Sequence, residues 1–337
     1  MSLFELKMIT RAGTLAAILL LFGNLSALAA SPTTATVFSG NVIHFTPDDS
    51  TKYDTDHVFA QDNGRVMRRE VILPRTDRPV KIMAHLAVIP IPLDEQSVCD
   101  RWDRAGNIRL AGVDGPDIEI IKFVTAYGGR TEYTVDVSYL APLLTGKCVI
   151  KSFIDTWVSP GWKIDLALEY IDSSETVNPD WAQGILFEQS FDAELMDKGG
   201  ITARVTIPEG LNRVKLHYLV SGHCTDGRGA DEFEPKDNVI SVDGTVVYRF
   251  QPWRDDCKNF RALNPYCKKW SDGYWSSDYS RSGWCPGDMV SPVELDLTDH
   301  LTPGPHTVRF TIENIRPKDD DGHFGYWRVS GHLLGWK

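Results

Sequence analysis

Positive charge, long apolar runs and helical periodicity are all scarce in this chain of 337 residues. Lys and Arg together number 35 against 46 Asp and Glu, a formal net charge of −11. A nucleic-acid partner needs a basic face, so that class of function is excluded. Beyond residue 30 no stretch approaches the roughly 20 apolar residues of a membrane-spanning helix. No long amphipathic helix can be traced, only a few helical turns near residues 139–144. Cys-x-x-Cys and His-x-His pairs are missing, and with them the usual zinc and copper frameworks. No metal and no cofactor are expected. There is no internal repeat either, so any likeness between parts of the chain is architectural.

The amino terminus carries Lys7 and Arg11 ahead of a short apolar run, 15–22, and then Ala27-Leu28-Ala29. That order reads as a signal peptide over residues 1–30 and predicts a secreted or periplasmic, soluble protein. An uncleaved anchor is the competing reading. Export suits the 6 cysteines, Cys99, Cys148, Cys224, Cys257, Cys267 and Cys285, an even number that favours disulfides while leaving their pairing open.

Strand signals fill the rest. Short β-branched runs at 71–73, 80–89, 118–123, 133–137, 148–153 and 164–170 are separated by Pro, Gly and Asp clusters. The style resumes at 201–207, 214–220, 239–242, 246–250, 293–297, 307–312 and 327–334. The alternation from Lys163 to Tyr170 fits a strand with one buried face. The predicted class is all-β, with two antiparallel sandwiches over residues 31–172 and 183–337. The polar stretch 173–182 is the expected linker. Residues 250–288 differ from the rest, with Trp253, Trp270, Tyr274, Trp275, Tyr279 and Trp284 set among polar residues. Such a segment is either a long loop packing its own rings or a surface whose flat faces suit sugars.

Three acidic clusters draw attention: Cys99-Asp100-Arg101-Trp102-Asp103-Arg104, Asp155-Thr156-Trp157, and Arg228-Gly229-Ala230-Asp231-Glu232. Each taken singly reads as a surface ion pair. Together with Ser221-Gly222 and Arg281-Ser282-Gly283-Trp284-Cys285-Pro286-Gly287, they stand in an order and rough spacing that resembles the peptide-N-glycosidase F family. The resemblance runs from about Val71 to the C-terminal strands. It implies two jelly rolls side by side with an active site between them. It also implies hydrolysis of the amide joining asparagine to the innermost N-acetylglucosamine of an N-linked glycan, with glycoproteins or glycopeptides as substrate.

Carried over by motif, the resemblance implies Asp103 and Glu232 as catalytic acids, with Asp155 where the family has glutamate. Asp100, Arg104, Arg281, Trp102, Trp157 and Trp284 match substrate-binding positions. Cys257–Cys285 matches a family disulfide, leaving Cys99–Cys148 and Cys224–Cys267 as the suggested remainder. A monomer is expected. The family's cysteines flanking the second acid are replaced here by Ala230 and Glu234. Asp231 and Glu234 are therefore expected to crowd Glu232 and raise its pKa, which predicts a preference for a more acidic medium. Three alternatives stay open: a non-catalytic glycan-binding module, a copper monooxygenase on the same architecture, and a glycosidase cutting between sugars. The copper reading would need ligands from among His217, His223, His323 and His332.

Overall fold

The structure, a computed structural model, describes residues 32–112, 115–226 and 230–337. The leader expected at 1–30, and Arg228 and Gly229 of the glycine-rich bend, lie outside the described residues. The architecture is all-β, two antiparallel sandwiches.

The alternation around Leu166 builds the strand Trp162–Asp172, which turns Trp162, Ile164, Leu166, Leu168 and Tyr170 into a core and leaves the residues between them less buried. This strand lies between Thr33–Ile43 and Val80–Pro90 in a four-stranded sheet completed by Thr131–Asp136. Across the core is a six-stranded sheet in the order Met289–Val290, Ile118–Val124, Ala105–Leu110, Gly146–Ile154, Val66–Leu73, Val58–Gln61. The second sandwich sets Trp181–Phe191, Gly325–Trp336, Arg213–Cys224 and Val293–Asp296 against Ile201–Ile207, Gly304–Ile312, Asn238–Val242 and Thr245–Phe250. Fully buried tryptophans, Trp162 in one core and Trp327 in the other, are the bulkiest side chains of the two layers.

Three strands escape periodicity for physical reasons. Thr33–Ile43 is a polar edge strand whose register shifts twice near Gly40. Ala105–Leu110 buries Asn107 and Arg109, which satisfy each other at 2.9 Å, so it reads as a loop. Trp181–Phe191 carries two register shifts that scramble its alternation.

The seam between the sandwiches is partly polar. Met289–Val290, late in the chain, adds to the edge of Ile118–Val124, and Leu334 packs into the first core. Lys122, nearly fully buried, binds Glu188 and lies 3.5 Å from Glu119; Glu188 in turn lies 3.4 Å from Arg328.

Among the described residues one disulfide is present, Cys257–Cys285, with Cα atoms 5.1 Å apart. The other suggested pairs do not form. Cys99 Sγ turns to Pro92 O at 3.8 Å, while Cys148 Sγ sits against Leu143 O and Thr145 O, both at 3.4 Å, inside the first sandwich. Cys267 is a buried thiol, and Cys224 Sγ reaches Glu232 Oε2 at 3.4 Å. A disulfide needs the two Cβ atoms about 4 Å apart, and these side chains are committed to separate neighbourhoods.

Candidate active site

The three acidic clusters meet in one cavity of about 870 Å³, walled by both sandwiches. Asp103, Tyr127 and Asp155 line it from the first, and Cys224, Glu232 and Trp284 from the second.

Asp100 organises the first wall. It is fully buried and accepts hydrogen bonds from Trp102 N at 3.2 Å, Arg104 Nε at 3.1 Å, Thr156 Oγ1 at 2.5 Å and Trp162 Nε1 at 3.4 Å. It thereby ties the loop of Asp103 to the loop of Asp155. It does not line the cavity, and its place is a correction to the substrate-contacting role that the motif suggested. Four donors on one carboxylate leave it nothing to offer a ligand. Thr125 completes the loop, accepting from Arg104 N at 2.8 Å through its hydroxyl.

Asp103 is thus delivered to the cavity beside Tyr127, whose hydroxyl donates to it. Burial raises the Asp103 pKa, while Arg281, the Tyr127 hydrogen bond and Arg104 oppose that rise. Tyr127 stays a phenol, its pKa driven far up by burial and by Asp103. No sequence motif pointed to Tyr127, because its partner lies in a different loop.

On the opposite wall Glu232 closes a single turn, Ala230–Glu232, in which Asp231 adopts φ +23°. That strained conformation is held by two bonds, from Trp327 Nε1 at 2.9 Å and Arg316 N at 3.0 Å. Two glycines let this turn approach: a Cβ on Gly222 would lie 2.4 Å from Asp231 O, and one on Gly325 would lie 1.6 Å from Asp231 Oδ2. With Asp231 anchored inward, Glu232 turns into the cavity. Its Oε1 accepts from Arg281 Nε at 3.1 Å, and its Oε2 meets the Cys224 thiol.

The pKa of Glu232 is raised from 4.5 to about 7, first by burial and then by Asp103, against the pull of Arg281. Asp231 and Glu234 are not among the leading causes of the shift. The expectation that they crowd Glu232 is corrected, since Asp231 points the other way and Glu234 is exposed and paired with Lys236 at 3.2 Å.

Arg281 is completely enclosed. Besides Glu232 it donates to Tyr279 O at 3.0 Å and Ser276 O at 2.7 Å, and it stacks between Phe233 and Trp284 at 5.0 and 4.8 Å. Trp284 is also buried, its Nε1 on Gly222 O at 2.8 Å, so it braces Arg281 and the Gly222 strand. Arg104 differs. Its Nε is fixed on Asp100, and its terminal nitrogens meet no protein acceptor among the described residues.

Asp155 is clamped by two arginines absent from the motif reading, Arg65 Nη1 at 3.1 Å and Arg328 Nη2 at 3.6 Å. Trp157 packs its ring over Arg65 at 4.7 Å yet stays 54 % exposed, and Trp102 is 60 % exposed. Both offer open aromatic faces. His223 also lines the cavity, bonded to Ser221 Oγ at 2.8 Å and kept neutral by burial and nearby cations. His217 and His332 face each other against Tyr139 elsewhere in the seam, while His323 is half-buried beside Asp319. The cluster of Asp256 with Cys257 and Cys285 has both sulfurs spent in the disulfide.

Sequence comparison matches residues 112–170 to the N-terminal and 191–334 to the C-terminal profile of peptide-N-glycosidase F. Peptide-N(4)-(N-acetyl-beta-D-glucosaminyl)asparagine amidase F of Elizabethkingia miricola is 24% identical over 258 residues, 70% of this chain and 69% of that protein. The solved structure of PNGF-II superposes with a TM-score of 0.81 at 25% identity, over 91% of this chain and 65% of that one, so the chain spans about two thirds of its length. PNGase F, described as a glycosylasparaginase from Flavobacterium meningosepticum, superposes at 0.66 with 17% identity over 91% and 96% of the two chains, a likeness of fold. On the matched profiles and the common two-sandwich architecture, the chain belongs to the peptide-N-glycosidase F family.

Proposed function

We propose that this protein is an exported hydrolase that cuts the amide between asparagine and the innermost N-acetylglucosamine of N-linked glycans. The reading rests above all on Asp103 and Glu232, borne by different sandwiches and lining one cavity, where Asp103 raises the demand of Glu232 for a proton. Family membership supports the reaction class, and the exposed rings of Trp102 and Trp157 support a sugar ligand.

The amide is a weak electrophile, so the site must activate water, bear the oxyanion and protonate the leaving nitrogen. Two acids sharing a low-dielectric site do not both ionise. We assign the charge to Asp103, which has Tyr127 and two guanidinium groups in support, and the proton to Glu232. Asp103 then takes a proton from the attacking water. Glu232 gives its own to the departing glycosylamine from Oε2, the oxygen held only by a weak thiol donor. Water adds its oxygen to the side-chain carbonyl, the C–N bond breaks, and aspartate and glycosylamine result. Arg104, with terminal nitrogens to spare, faces the oxyanion. Arg281, with three of its five N–H groups committed to Glu232, Tyr279 O and Ser276 O, sets the field around both acids. Asp155, fixed by Arg65 and Arg328, orients the substrate beside Trp157. The division into sandwiches at 31–172 and 183–337 about the 173–182 linker, export after removal of residues 1–30, and a monomeric state belong to the same proposal.

Mass spectrometry of an N-glycopeptide incubated with wild type and with Asp103→Asn tests it. Wild type should leave peptide with Asn converted to Asp and no sugar, and the variant should leave intact substrate. A single N-acetylglucosamine left on the peptide would mean cleavage between sugars. Binding without any release would mean a lectin-like module.

A further inference from the structure

We propose that the mouth of this cavity holds an anionic subsite, formed by Arg101, Lys268 and Lys269, that selects glycans bearing an acidic substituent. This rests on the glycan-hydrolase reading above and adds a class of substrate to it.

Three observations carry the inference. All three side chains line the cavity and are exposed at its rim. None forms an ion pair among the described residues, although acids outnumber bases by 46 to 35 and most cations around the site are matched. Arg65, Arg104, Arg281 and Arg328 each hold a carboxylate; Arg101 contributes to the lowered pKa of Asp94, after its hydrogen bonds, and makes no ion pair with it. In a chain so rich in acid, three cations left unmatched at one rim mark a place where charge is reserved for a partner.

Two of the three are also held in place. Arg101 stacks on Tyr266 at 5.0 Å, and Lys269 lies over Trp275 at 5.4 Å. Such contacts fix a cation without neutralising it. Tyr266 and Trp270 line the same mouth, Trp270 packed on Tyr279 at 4.6 Å and still 38 % exposed. Cations beside flat rings suit a sugar that carries a carboxylate or a phosphate. The floor holds the carboxylates of Asp103 and Asp155, which repel an anion, so the acidic group is confined to the rim while the amide enters.

The test uses one neutral peptide carrying a neutral glycan, the same glycan capped with a carboxylate sugar, or the same glycan phosphorylated. A further substrate carries the neutral glycan on a peptide with acidic flanks. Wild type should favour either acidic glycan over the neutral one by about three- to tenfold in kcat/KM at low salt. That ratio should fall toward one in about 0.5 M NaCl and invert in Lys268→Glu/Lys269→Glu, whose fold is checked by near-UV circular dichroism. Equal rates in wild type, a ratio indifferent to the charge reversal, or a response confined to the acidic peptide would each overturn the proposal. Tryptophan fluorescence titration with the free glycans separates the two readings. Tighter binding of the acidic glycan with no hydrolysis of any substrate sinks the enzyme and keeps the subsite. Hydrolysis with equal binding does the reverse.

Discussion

Replacing Glu232 by glutamine should make the protein more stable in alkaline solution while abolishing turnover. Folding lifts the carboxyl from 4.5 to about 7, so between those values the native chain keeps a proton that the unfolded chain has lost. The native state then binds more protons, and stability falls as pH rises through this window. At roughly 1.4 kcal/mol for each pH unit, ionised Glu232 costs the fold about 3 kcal/mol above pH 7 and nothing below 4.5. With 12% of its side chain exposed, little of that is relieved by solvent. Glutamine imitates the protonated form and keeps an acceptor for Arg281 Nε. Denaturant unfolding from pH 4 to 9 should show wild type and Glu232→Gln converging at the acid end. The variant should lead by about 2–3 kcal/mol at the alkaline end. Glycan release should drop by about a hundredfold or more. Parallel stability curves, or a variant less stable at pH 8, would refute the protonated glutamate and with it the proposed proton donor.

Other outcomes follow from the same contacts. Glycan release by wild type should decline as pH climbs past about 7, where Glu232 gives up its proton; an optimum at about pH 8 or above would contradict this. Arg104→Gln should lower kcat by about a hundredfold with little change in KM, since an oxyanion donor acts only in the transition state; steady-state kinetics decides. Arg328→Leu strips Glu188 and Asp155 of a shared partner, so it should destabilise by about 3 kcal/mol in urea and raise KM. Cys285→Ser opens a loop whose ends are 28 residues apart and should cost about 3–4 kcal/mol in the same assay, with loss of activity through the adjoining Arg281 and Trp284.

The expected acidic preference keeps a physical basis, though a different one from that suggested by the neighbouring acids. Burial and Asp103 raise Glu232, whereas Asp231 spends its charge on Trp327 and Arg316. Adjacent residues in a tight turn project in different directions, so proximity along the chain is a poor guide to electrostatic company.

What the chain alone determined is local or carried by motif. Alternation from Lys163 to Tyr170 specifies a half-buried strand because side chains on a pleat take opposite faces in turn. Dense Pro, Gly and Asp punctuation excludes long helices and with them every helical class. Asp103, Glu232 and Arg281 were recognisable from short motifs. Tertiary structure alone decided which groups meet. Tyr127 reaches Asp103, and Arg65 and Arg328 close on Asp155, across separations that no spacing rule encodes. It also decided that Asp100 braces two loops from beneath the cavity, and that Cys99, Cys148 and Cys267 stay unbridged. Most of these depend on how loops pack at one end of the first sandwich, and the reach of Arg328 to Asp155 on the second sandwich packed beside it. Contact between residues distant in sequence is a property of that packing, set by the whole core at once.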